Sequence, residues 1–141
     1  MSPIAYANLV LLLCAVLLAL WRGELWERAI SGLLIAVFAL TVIVSFDFVT
    51  PPWVAIAADC VVFLVLLYAC LRSQRRWIIF AASFQFLVLA THYVFVNNDE
   101  LMQWAYVSAY YVWNIGLIIS LCLGTVLEGR RPNKSSDERR D

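Results

Sequence analysis

Charge is scarce in this sequence: 14% of its 141 residues are Asp, Glu, Lys or Arg, against 64% that are hydrophobic. A soluble domain carries roughly 45–50% apolar residues. One small globule could not hide this much apolar surface from water, so most of the solvent must be lipid. An excess of either sign is lacking too, since ten basic residues balance ten acidic ones. No basic face is interleaved with aromatics and no Gly-rich phosphate loop is present, which excludes nucleic acid as a partner. Histidine occurs once, at His92, and a single His cannot supply two axial haem ligands within one chain. Cys14, Cys60, Cys70 and Cys122 stand inside apolar runs with no C-x-x-C spacing and no Cys/His cluster. They read as free thiols used as small apolar side chains, not as zinc ligands. H-E-x-x-H, G-x-S-x-G and a buried Ser/Lys pair are absent, as are the inverted repeats of transporters. No span carries a polar stripe along its full length, as a pore requires. The balance leans away from an enzyme and calls for no cofactor and no metal.

What is present is length without interruption. A bilayer-spanning helix needs about 20 mostly apolar residues, and five segments qualify, at about 4–21, 29–46, 53–71, 77–96 and 102–127. The connections "RGELWER", "DFVTPP", "RSQRR" and "NNDE" are short. The fold class expected is all-α: a five-transmembrane-helix bundle over 1–127, followed by a disordered tail over 128–141, too polar to fold. The first span lacks a basic n-region, so it is expected to be a retained helix rather than a cleaved signal peptide.

Basic residues are missing from the stretch before the first span and from the second and fourth connections. Arg22 and Arg28 fall in the first, Arg72, Arg75 and Arg76 in the third, and the other five in the tail. All ten therefore lie on one side of an odd-numbered bundle. The positive-inside rule makes that side cytoplasmic, with the N-terminus outside. Trp53 and Trp104 mark outer ends of spans, and Trp21 and Trp77 inner ends, as an interfacial aromatic belt does. Gly116, Ser120 and Gly124 repeat every four residues, as do Ala15, Ala19 and Gly23. Such ridges let membrane helices approach closely. Glu24 and Arg28 are four apart, in a favourable order if that segment is helical.

"WRGELWERA" after a first span, "RSQRRW" before an aromatic span and "ATH" near its outer end resemble small uncharacterised multi-pass bacterial inner-membrane proteins. The resemblance covers about residues 20–127. It implies a bacterial cell inner membrane as the location and carries no activity, cofactor or site.

One carboxylate stands out. In "AIAADCVVFLVLLYAC" every residue but Asp59 is apolar or small. At 1.5 Å per residue Asp59 lies roughly 9 Å below the outer boundary. An ionised group at mid-membrane costs ~2.5–3.5 kcal/mol on insertion scales, so such residues turn inward and find partners. Gln85 and His92, seven apart, share one side of the fourth span, and Thr41 and Ser45 share a side of the second. Tyr106, Tyr110 and Asn114 form a stripe on the fifth. The candidate cluster is thus Asp59, Gln85, His92, Tyr106, Tyr110 and Asn114, with His92 the first-choice partner for Asp59. Three roles remain open for Asp59: a polar clasp, a site for a proton, ion or small ligand, or contact with the outer interface or another subunit. Two function classes follow. One is a non-catalytic accessory or scaffold subunit of a membrane complex. The other is an oligomeric conduit or carrier for protons, ions or a small lipophilic ligand. The partners expected are the lipid bilayer and either another protein or further copies of this chain.

Overall fold

A computed structural model describes residues 3–43, 53–73, 75–97 and 103–127. It is all-helical: α1 (Pro3–Arg22), α2 (Leu25–Ile43), α3 (Trp53–Arg72), α4 (Arg76–Asn97) and α5 (Gln103–Leu127). Three stretches are long and apolar enough to cross a membrane: Trp53–Arg72, Arg76–Asn97 and Trp104–Leu127. Tyr6–Arg22 is a shorter apolar stretch. The tail 128–141, Ser45 and the side chain of Thr41 lie outside the described residues.

The local chemistry explains the helix ends. Pro3 opens α1, where its missing N–H is no loss. Between α1 and α2 only Gly23 and Glu24 remain outside helix. A Cβ on Gly23 would collide with the Ala19 carbonyl and with Glu27, so only glycine fits this turn. Helix α2 begins four residues before the apolar run at 29. Its start is set by a cap rather than by apolarity: the Glu24 N–H donates to Glu27 Oε2 at 3.0 Å. This is half of a capping box, in which the third helical residue reaches back to the N-cap amide.

Successive helices run antiparallel. Trp26, early in α2, meets Tyr68, late in α3, with ring centroids 6.4 Å apart. Asp59 of α3 meets both Gln85 and His92 of α4. Trp77 of α4 sits on Gly124 of α5, and Phe84 on Gly116. The small ridge of α5 thus receives two aromatic rings from α4, the approach that small residues permit between membrane helices. In α1 the corresponding Ala15 and Ala19 are buried, and α1 packs against both α5 and α2. One apolar core joins all five helices, through residues such as Val16, Ile30, Leu66, Ile78 and Leu121. The outer surface is apolar as well: Leu17, Leu71, Phe80, Val112 and Leu127 are all exposed. A soluble monomer does not show apolar surface on every side, whereas lipid is a fitting solvent for it.

A leucine at position 124 would place its Cβ inside the Trp77 ring. Overpacking of this kind costs about 1–3 kcal/mol. Gly124→Leu is therefore expected to lower the thermal midpoint in detergent. Gly32, which has nothing within 4 Å of an added Cβ, should accept alanine without loss. Equal midpoints for the two variants would contradict the α4–α5 packing.

Candidate functional site

The apolar interior is interrupted at one end by a row of polar groups drawn from three helices. Asp59, one-third of the way along α3, is buried. Its Oδ1 accepts a hydrogen bond from Gln85 Nε2 at 2.9 Å, and the same amide reaches the Asp59 main-chain oxygen at 3.2 Å. Its Oδ2 lies 2.8 Å from His92 Nε2. The other ring nitrogen, His92 Nδ1, lies 2.8 Å from the Tyr106 hydroxyl on α5. Gln85, His92 and Tyr106 are all buried.

The order of partners fixes the protons when Asp59 is ionised. A carboxylate only accepts, so His92 Nε2 carries hydrogen and donates to it. Nδ1 of the neutral ring is then the acceptor, and Tyr106 O–H donates to it. The row reads Tyr106 O–H to His92 to Asp59, with Gln85 donating to the carboxylate from the other side. A hydroxyl, an imidazole and an orienting carboxylate in series form an acid–base relay. The sequence alone groups Tyr106 with Asp59 and His92 but does not give the order in which they are bonded.

Aromatic rings enclose the relay. Phe95 stacks on Tyr106 at 4.2 Å and 25°. The Tyr110 ring lies 5.6 Å from the His92 ring. Trp113 Nε1 donates to Thr91 Oγ1 at 3.1 Å, a further tie between α4 and α5. Asn114 does not join the row: its Nδ2 donates to the Tyr110 carbonyl one turn back at 2.8 Å. Of the six candidate residues, four are linked by hydrogen bonds, Tyr110 covers them, and Asn114 serves its own helix.

A second polar array lies at the opposite end of the bundle, where sequence reasoning had not placed one. Arg75, in the α3–α4 turn, donates from Nη1 to Glu27 Oε1 and from Nη2 to Glu24 Oε2. Glu27 is wholly buried. One guanidinium fork thus ties the α3–α4 turn to the α1–α2 turn, the bidentate use to which Arg is suited. Glu24 is engaged by Arg75, 51 positions away, rather than by Arg28 one turn on. Glu24 is not one of the usual N-cap residues, so the Glu24-x-x-Glu27 spacing is no recognised cap signature. No sequence rule pairs Arg75 with it.

Three buried side-chain atoms lack a hydrogen-bond partner among the described residues: Asn8 Oδ1, Ser73 Oγ and Trp77 Nε1. None belongs to either array. Among the described residues no group of three or more His, Cys, Asp or Glu side chains could hold a metal ion. No protein-family model, curated protein or solved structure matches this chain.

Proposed function

We propose that this chain is a five-span protein of a bacterial cell inner membrane that serves as a non-catalytic accessory or scaffold subunit of a larger complex. The observation that carries this reading is the closure of both polar arrays on the chain itself. Both oxygens of Asp59 and both ring nitrogens of His92 are engaged, and the buried Glu27 is matched by Arg75. Groups satisfied in this way hold helices in register and offer little to a substrate. The turns are too short to form an extramembrane domain, so a partner would bind along the apolar flanks. Purification in mild detergent tests this. A stoichiometric protein partner is expected. A lone homo-oligomer carrying a bound small molecule would overturn the scaffold reading.

In this reading the N-terminus lies outside and the C-terminus in the cytoplasm, because all ten basic residues fall on one side of five spans. A reporter fused after Asp141 should be active as a cytoplasmic marker, and one placed before Met1 as an external marker. Both ends on the same side would sink the five-span topology.

The second reading, an oligomeric conduit or carrier for protons, ions or a small lipophilic ligand, is favoured by one observation. Tyr106, His92 and Asp59 stand in hydrogen-bonded series, as groups that pass a proton do.

A further inference from the structure

We infer that the Tyr106–His92–Asp59 row is a one-sided proton-binding site, loaded from the end of the bundle at which α4 finishes and α5 begins, and that it does not continue into a path across the chain. The inference rests on the second reading above and narrows it, from a carrier to a site that takes up and returns a proton on one side.

The row is close to that end. His92 is five residues before the last residue of α4 and Tyr106 three after the first of α5, so both lie within about two helical turns of the end. Among the described residues the far side is packed with apolar groups. From Asp59 to the end of α3 at Arg72 the rise is about 20 Å, and hydrogen-bonded hops span roughly 2.7–3.2 Å each. The interior along that length is filled by buried apolar side chains, among them Val62, Leu66, Ile78, Ala81, Leu117 and Leu121. The hydroxyls of Ser120 and Thr125 are spent on carbonyls of their own helix, those of Gly116 and Leu121. Among the described residues no buried carboxylate, imidazole or amine bridges the gap between Asp59 and the Arg75–Glu27 pair.

The proton count is simple. With Asp59 ionised and His92 neutral, the row carries one negative charge. A proton arriving at the Tyr106 oxygen displaces the hydroxyl's own proton onto His92 Nδ1. The Nε2–H bond to Asp59 stays in place, and the product is an imidazolium beside a carboxylate with net charge zero. One O–H bond forms, one O–H bond breaks and one N–H bond forms. Uptake also reverses one hydrogen bond, because Nδ1–H now donates to the Tyr106 oxygen. The phenol ring is stacked on Phe95, so the hydroxyl hydrogen turns rather than the ring. The groups facing His92 are Asp59 from α3 and Tyr106 and Tyr110 from α5. Tyr6 of α1 and Tyr93 of α4 lie near the same end but are exposed, and the described part of α2 has no ionisable group there.

Because the chain has a single histidine, its imidazole can be read without assignment. The full chain, labelled with 15N-histidine and placed in lipid nanodiscs, would be followed as the pH is lowered. On the alkaline side the hydrogen is expected on Nε2 alone. Acidification should add one to Nδ1 and leave Nε2–H in place. In Asp59→Asn the amide oxygen faces Gln85 and the amide nitrogen faces His92, so the neutral ring should carry its hydrogen on Nδ1 instead. Tyr106→Phe, which keeps the ring, should move the Nδ1 resonance and leave that of Nε2 close to its place; it serves as the control should the Asn variant fail to fold. A neutral ring protonated on Nδ1 in the parent, or a ring that gains no proton on Nδ1 on acidification, would overturn the inference. Vesicles holding the protein and a trapped pH dye should show no proton flux above protein-free vesicles under a potassium-diffusion potential. Flux would overturn the closed path while leaving the carrier reading standing. Neither result bears on the copurification that tests the scaffold.

Discussion

Arg75→Ala is expected to be the most damaging single substitution in the chain. It removes both partners' cation at once and leaves Glu27, whose side chain is 0% exposed, without a counter-charge. Breaking a buried ion pair from one side typically costs about 3–5 kcal/mol, because the remaining charge stays buried. The expected result is a large fall in thermal midpoint and in membrane accumulation. Arg75→Lys should recover part of the loss, since an ammonium is a point charge and cannot fork to two carboxylates. Glu24→Ala should cost little. Its side chain is 47% exposed, and exposed ion pairs contribute only about 0–1 kcal/mol. The order Arg75→Ala, then Arg75→Lys, then Glu24→Ala, from most to least damaging, is the signature of a buried Glu27. Three equal small losses would show that the clasp is superficial.

Asp59 should divide two substitutions of similar size. In Asp59→Asn each bond of the row can persist. Gln85 still donates to the amide oxygen, the amide nitrogen donates to His92 Nε2, and the ring shifts its hydrogen to Nδ1 and donates to Tyr106. The cost should be under about 1 kcal/mol, in line with the small worth of single hydrogen bonds between membrane helices. Asp59→Leu leaves the His92 Nε2–H without an acceptor in a buried place and leaves the Gln85 amide only the main-chain oxygen of residue 59. Each unmet buried donor costs about 1–3 kcal/mol. Loss of a costly buried carboxylate offsets part of this. The net expectation is a destabilisation of about 1–3 kcal/mol for leucine. Thermal unfolding of both variants in one detergent, followed by helical circular dichroism, decides the matter. Equal stability of Leu and parent would leave the carboxylate without the clasp role.

Several features of this bundle were legible in the sequence for plain physical reasons. Length and apolarity located five helices, because lipid-facing segments cannot alternate as strands or loops without stranding backbone polar groups. The cost of burying Asp59 turned it inward. The seven-residue spacing of Gln85 and His92 placed them on one face, at a depth that matched Asp59 in an antiparallel hairpin. The G-x-x-x-S-x-x-x-G ridge of α5 marked a face for close approach but not the helix that fills it, which is α4. Other features depended on helix rotation, which periodicity does not give in an all-apolar helix. Asn114 shares a stripe with Tyr106 and Tyr110 yet bonds to its own backbone. Helix α2 starts four residues before its apolar run because Glu27, in the polar stretch between the two runs, is the cap that begins the helix. Arg75 falls in the α3–α4 turn beside other basic residues, but its partners are set by how two turns meet in space.

A double-mutant cycle between Asp59 and His92 tests the pairing at the centre of this account most directly. Asp59→Leu, His92→Phe and the double variant would be unfolded thermally in the same detergent as the parent. Directly paired residues show coupling of about 0.5–3 kcal/mol, while independent sites add within about 0.3–0.5 kcal/mol. The account predicts that the double variant loses less than the two single losses together, because the second substitution removes a group the first has already left unpaired. Strict additivity would contradict it, for then Asp59 and His92 would not be partners.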